Sequence, residues 1–346
     1  MKALSLFSLL CLGALFAIPQ VLAQETLTLG VIGKTKKDSF YEQSLHGCQA
    51  YAKAHTSAEL RIDCLYGGPE YFQDIREQAI AINEMIARGV DGLLVSTTDS
   101  KYLVEHALVA AKARHIPVIT FDSDLLPEHS GYRLAYVGTN NFDLGVALGN
   151  YAKQFKTQGQ TLVCIQSGNV STPNLDERIH GVRFALSGEA TGQRLDGANG
   201  WKEYDRCPFY TSGKRDMALN QLELVLKKSV PVFIAVAGFA QFSPHYITRM
   251  TPYRRQISSH ETVIISADTE ALQLEALEQA LSTVNIGQRP FEMGRLGAEM
   301  LHHYLTTGQV PPTEFSYLGF HTCTRENTGT CTGVEANDSA DTRGVY

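Results

Sequence analysis

Two aspartates close strongly apolar runs of the chain: Asp122 ends IPVITFD and Asp268 ends TVIISAD. An ionised carboxylate at such a position can accept hydrogen bonds from the hydroxyls of a polar solute, and helix N-capping is the competing structural use of either residue. Asp124 and Asp99 are weaker candidates, because capping or turn formation explains both. A pair of acids also raises glycoside hydrolysis, so a secreted glycoside hydrolase stands as a less favoured alternative. Other catalytic patterns are missing from the sequence. GVIGKTKKDS lacks the spacing of a nucleotide loop, no Gly-x-Ser-x-Gly elbow occurs, and His46, His106, His115, His180 and His245 are scattered. With no Cys-x-x-Cys pair and no matching histidine spacing, neither a metal site nor a cofactor is expected, and the chain reads as a non-enzyme.

The elements that must position these acids are legible around residues 88–124. GLLVS and IPVITFD are short and apolar without alternation, as strands buried on both faces are. Leu103, Ala107, Ala110 and Ala111 recur between them at helical spacing, which makes a βαβ unit, right-handed by default. The pattern repeats along the chain: a strand TLGVIG, a helix over 42–54, a strand LRIDCLYGG, and a long helix from about Tyr71 to Arg88 precede the unit. A second series runs from LVCIQSG through VPVFIAVAG to TVIISAD. The expected fold is α/β, with two doubly wound Rossmann-like lobes of parallel sheet joined by a multi-strand hinge. Residues 24–138 with about 288–310 form the first lobe, and 139–287 with about 314–322 form the second. Residues 323–346 form a disulfide loop and a polar tail. Ligands of such sheets sit outside the carboxyl ends of the strands, here in a cleft between the lobes.

A chain of 346 residues carrying a formal net charge of −6 offers no basic footprint for nucleic acid. Lys2, the apolar run from Leu4 to Ile18, and Val21-Leu22-Ala23 read as a secretory signal cleaved after Ala23, which implies an oxidising compartment. Six cysteines then remain. Cys48 with Cys64, and Cys323 with Cys331, are the locally favoured disulfides. Cys164 is either an inert buried thiol or the partner of Cys207.

In order and spacing, TLGVIGKTKKDSFYEQSLHGCQAYA, RGVDGLLVSTTD, IPVITFDSD, YVGTNNFDLG, the helix bearing Glu177, Arg178 and Gly181, IISAD, and GQRPFEMG resemble the periplasmic ribose-type (type I) substrate-binding proteins. The resemblance covers about Leu27 to Phe320. It implies reversible capture of a small polar ligand, most often a sugar, for delivery to an ABC transporter permease in the periplasm. The alternative is presentation of a small signal molecule to a membrane sensor histidine kinase. It also implies ligand-binding roles for Asp38, Phe40 and Tyr41 in the loop after the first strand, and for Asp122, Arg178, Asp268 and the hinge residue Gln288. Trp201 or Tyr204 would supply the stacking aromatic of the second lobe, since flat rings cover the apolar face of a sugar. Two competing structural readings remain: Asp38 as a helix cap, and Arg178 paired with Asp176 or Glu177 along its own helix. The chain departs from the family at Ala237-Gly238-Phe239-Ala240, where sugar binders carry Asn-Asp. It also has Asp38 in place of Asn. That extra charge, added to Asp122 and Asp268, extends the expected ligand class to amine-bearing solutes.

Overall fold

The computed structural model describes residues 24–331 apart from positions 73, 171 and 191. The expected leader 1–23 and the tail beyond 331 lie outside the described residues. The chain begins with β1 (Glu25–Ile32), α1 (Ser39–His55), β2 (Leu60–Gly67), α2 (Ile75–Ala87) and β3 (Gly92–Val95). Then come α3 (Ser100–Leu103) and α4 (Val109–Ala113), joined by one π-helical turn, followed by β4 (Val118–Phe121) and β5 (Ala135–Thr139). The chain next passes to the other lobe through α5 (Asn141–Ala152), β6 (Thr161–Ser167), α6 (Pro173–Ser187), β7 (Trp201–Glu203), β8 (Phe209–Tyr210), α7 (Arg215–Lys227) and β9 (Val232–Ala235). That lobe continues with α8 (Tyr246–Met250), α9 (Arg254–Ser258), β10 (Val263–Ala267), α10 (Ala271–Glu278) and β11 (Val284–Gly287). Finally α11 (Pro290–Thr307), β12 (Phe315–Leu318) and β13 (His321–Cys323) close the fold.

The first sheet is parallel throughout, in the order β12-β5-β4-β3-β1-β2. The second runs β13-β11-β10-β9-β6-β7, with β8 also on β6 and β13 antiparallel to β11. GLLV and VITF are buried at every position, so they sit at the centre of a sheet covered on both faces. One expectation needs correction. The segment 314–322 does not belong to the second lobe as a whole: β12 pairs with β5 in the first sheet, and β13 alone pairs with β11 in the second. The apolar spacing of Phe315 and Tyr317 does not say which sheet edge lies nearer, because edge strands of either lobe look alike in sequence.

A second difference lies at the start of α2. The apolar period suggested a helix from about Tyr71, whereas α2 begins at Ile75 behind Asp74, whose side chain accepts from Arg76 N and Glu77 N at 3.0 Å each. A good N-cap three residues downstream of Tyr71 outweighs two aromatics with no helix preference of their own, and residues 68–72 become a loop. In the second lobe, α5 and α6 pack so closely that a Cβ on Gly145 would run into the Arg178 carbonyl oxygen, and one on Gly181 into that of Phe142. That contact seats the helix carrying Arg178. All three cysteine pairs are bonded, Cys48–Cys64, Cys164–Cys207 and Cys323–Cys331, so the open alternative for Cys164 is resolved as a disulfide.

Candidate functional site

Asp122 and Asp268 occupy equivalent places in the two lobes, each one residue past a central strand. Each adopts a left-handed backbone, with φ of 59° and 72°. A non-glycine residue there costs about 1–2 kcal/mol, and strain of that kind at two matched positions points to function rather than to folding. Neither caps a helix. Asp122 accepts from Ser96 Oγ at 2.7 Å and Tyr41 Oη at 3.3 Å, and pairs with Lys34 at 3.5 Å. Asp268 accepts from Gln288 Nε2 at 2.9 Å and from the backbone N–H of Gly238 at 3.1 Å.

Arg178 connects them. Fully buried, its guanidinium donates to Asn141 Oδ1, the Val236 carbonyl and Gln288 Oε1, each at 2.9 Å, and lies 3.9 Å from Asp122. It therefore turns inward, not along its helix toward Asp176 or Glu177. Gln288, where the chain crosses back between lobes, accepts from Arg178 through one atom and donates to Asp268 through the other. The hinge is thus wired into the cleft by a directional hydrogen-bond chain. Asp38 caps α1 at Phe40 N (3.1 Å), as its structural reading expects, and also pairs across the cleft with Arg215 at 3.3 Å.

A cavity of about 40 Å³ remains among these groups, room for about three waters. The expected residues Asp38, Phe40, Tyr41, Asp122, Arg178, Asp268 and Gln288 all line it, whereas Trp201 and Tyr204 do not. Trp201 is buried in β7, in register with Thr161 of β6, and Tyr204 packs on the same second-lobe core. A lone tryptophan among glycines is equally well a core anchor, and here burial of its large apolar surface decided its place. The rings actually present at the cleft are Phe40, Tyr41 and Phe72 from the first lobe and Phe239 and Phe242 from the second. Phe239 lies inside the divergent Ala237–Ala240 segment, so that departure supplies apolar surface, and its Gly238 N–H supplies a donor to Asp268. Asp124, by contrast, is committed to Arg133 (2.7 Å), and Asp99 caps α3 at Tyr102 N (2.8 Å).

Lys34 and Asn174 were missed. They face each other across the cleft at 3.3 Å, and a lysine among three lysines in KTKK carries no mark of burial in the sequence. Their pairing, with Asp38–Arg215, alters the electrostatics expected of the site. Asp38, Asp122 and Asp268 are matched by Lys34, Arg178 and Arg215, so the cleft is not net negative, and the charge argument for amine-bearing ligands is withdrawn. Burial, opposed by Asp122, holds the Lys34 ammonium below its ordinary pKa. Burial pushes Asp38 up to about 6 against the pull of Arg215, and raises Asp268 against the pull of Arg178. Beside the first cavity, and sharing Phe40, Asp268 and Gln288 with it, a second of about 320 Å³ is lined by Ser39, Gln43 and Glu270 among others. Gln43 there donates across the lobes to both carboxylate oxygens of Glu270, at 3.0 and 3.1 Å.

Comparison with known proteins gives concordant results. The family model described as "periplasmic binding protein domain" matches residues 29–309. A D-ribose/D-allose-binding protein of Pseudomonas aeruginosa is 27% identical over 171 residues, which is 48% of this chain and 51% of that protein, so the chain spans about half the length of the curated relative it matches. Among solved structures, an ABC transporter solute-binding protein from Burkholderia graminis in complex with D-arabinose superposes with a TM-score of 0.73 at 21% identity, covering 90% of this chain and 99% of that one. Another from Agrobacterium vitis, bound with α-D-tagatopyranose, gives 0.71 at 20% identity, covering 88% and 97%. At these identities the structural likeness speaks for the fold.

Proposed function

We propose, from the premise that this chain belongs to the periplasmic binding protein family, that it captures a neutral monosaccharide-like solute between its lobes and delivers it to the permease of an ABC transporter. The observation that carries the reading is the Asp122–Arg178–Gln288–Asp268 chain, which ties strand ends of both lobes and the hinge to one cavity. Asp122, Asp268, Arg178, Lys34 and Asn174 offer acceptors and donors on facing walls, while Phe40, Phe72, Phe239 and Phe242 offer flat apolar cover. Hydroxyls and a C–H face are what that combination suits, and the balanced charges favour a guest without net charge. Ribose, allose, arabinose, fucose and tagatose are the first ligands to try, since relatives and neighbours in structure carry those names. Capture of this kind is reversible and needs no turnover, and a secreted, periplasmic site of action accompanies the reading.

The test is isothermal titration of the mature protein against those sugars and against amino sugars and sugar acids, with Asp122→Ala and Arg178→Ala as controls. Saturable binding of at least one neutral sugar, lost in both variants, is expected. A flat response to every neutral sugar, or unchanged binding in both variants, would overturn the reading. Release of nitrophenol from aryl glycosides, abolished in Asp122→Asn or Asp268→Asn, would instead establish the hydrolase alternative.

A further inference from the structure

Trp201 and Tyr204 lie away from the cavity, whereas a first-lobe ring, Phe72, stands against the second-lobe wall of the cleft. The loop over 68–72 leaves the first lobe after β2, held by Lys36 N to the Pro69 carbonyl (2.9 Å) and by Glu70 N to Glu77 Oε2 (2.8 Å). It carries Phe72 across to the second lobe. There the ring meets Phe239 edge-on, with centroids 5.3 Å apart at 75°, and also lines the cavity. Its seat is Gly213: a Cβ built on that residue would lie 2.5 Å from Phe72 Cδ1 and 3.4 Å from Phe72 Cβ. Gly213 also has φ of +70°, where side chains are disfavoured. A side chain at 213 and the ring of Phe72 therefore exclude each other.

We propose that Phe72 is a specificity-determining residue of the cleft: borrowed from the first lobe, it covers the guest's apolar face on the second-lobe side and shuts the mouth behind it. The proposal rests on the capture reading and adds the residue that sets size and residence time. Because the ring can reach Gly213 only when the lobes are together, the aromatic wall is complete only in the closed protein. Entry precedes its assembly and exit requires its removal. With Phe72 in place the cavity holds about 40 Å³, so a guest one ring in size must part this wall slightly, and a second ring would have to displace Phe72 altogether.

Two arms test this, one without any ligand. In Phe72→Cys/Gly213→Cys the two Cβ atoms stand close to the separation a disulfide needs, and the six native cysteines of the described chain are already paired. Mild oxidation should form the cross-link, read by non-reducing mass spectrometry as loss of both free thiols. A folded double variant that keeps its thiols would overturn the placement of Phe72 on the second lobe. The second arm uses Phe72→Ala with the sugars named above and their disaccharides. Dissociation should quicken and affinity fall roughly 10- to 100-fold, and discrimination against disaccharides should shrink. Wild-type binding with Phe72→Ala unchanged in rate and size preference would refute the specificity role while leaving the capture reading intact. If wild type binds none of these probes, the capture reading fails and takes the specificity role with it.

Discussion

Replacing Glu270 by glutamine should make the protein's stability less sensitive to pH, with a sign that follows from its surroundings. The side chain is buried at the interlobe contact, facing Gln43 and Ser39 from α1, with Asp38 and Asp268 as like-charged neighbours. Burial first, then those two carboxylates, push its pKa from an ordinary 4.5 up to about 7. The native state therefore holds a proton that the unfolded chain has released, so stability is greatest below about pH 4.5 as far as this group is concerned. It declines as pH rises to about 7 and stays at its reduced level above. At about 1.4 kcal/mol for each pH unit, the charged form costs about 3 kcal/mol at pH 8. Glutamine imitates the protonated acid and removes that cost. Urea unfolding of wild type and Glu270→Gln at pH 4.5, 6, 7 and 8 should give similar midpoints at the lowest pH and a gap of about 3 kcal/mol at the highest. Thermal melts should show a difference of roughly 6 °C there, at roughly 2 °C for each kcal/mol in a chain of this size. Since Gln43 and Glu270 belong to different lobes, the same proton should favour closing, and sugar affinity should strengthen from pH 8 to pH 5.5 in wild type more than in the variant. Curves that stay parallel from pH 4.5 to 8 would refute the reasoning.

Removal of Asp122 by alanine strands the buried Lys34 ammonium with Asn174 as its remaining partner; a loss of about 3–5 kcal/mol is expected at neutral pH, and Lys34→Met in the same chain should recover much of it in urea titrations. Gly145→Ala forces a methyl against the Arg178 carbonyl. Parting α5 from α6 should cost about 3 kcal/mol, and sugar affinity should fall with it because Arg178 moves, although residue 145 is not among those lining the cavity. Cys164→Ala/Cys207→Ala opens a loop spanning 43 residues, for which chain entropy predicts a loss of about 4 kcal/mol in urea unfolding. Cys323→Ala/Cys331→Ala, spanning 8, should cost about 2.5 kcal/mol by the same measure.

The legible part of this protein is what local chemistry dictates. GLLV and VITF could be read as central strands because their side chains are apolar apart from Thr120, with no polar face for water, and Asp122 and Asp268 could be placed at strand ends because an apolar run must stop where the sheet does. Arg178 and Gln288 were reached through the order of motifs rather than through any local signal, and both line the cavity.

What the sequence determined by itself, then, is the pair of lobes, the tips that bear acids, and the cysteine pairs close along the chain. Each of these depends on neighbours within a few residues or on an apolar period. Tertiary structure alone decided which charges balance and which rings face the guest. Lys34 meets Asn174 at a separation of 140 residues, Asp38 meets Arg215 at 177, and Gln43 meets Glu270 at 227. Trp201 went to the core of its own lobe, where its large apolar surface leaves water, while Phe72 crossed to Gly213 because that space on the other lobe is left empty by backbone far away in sequence.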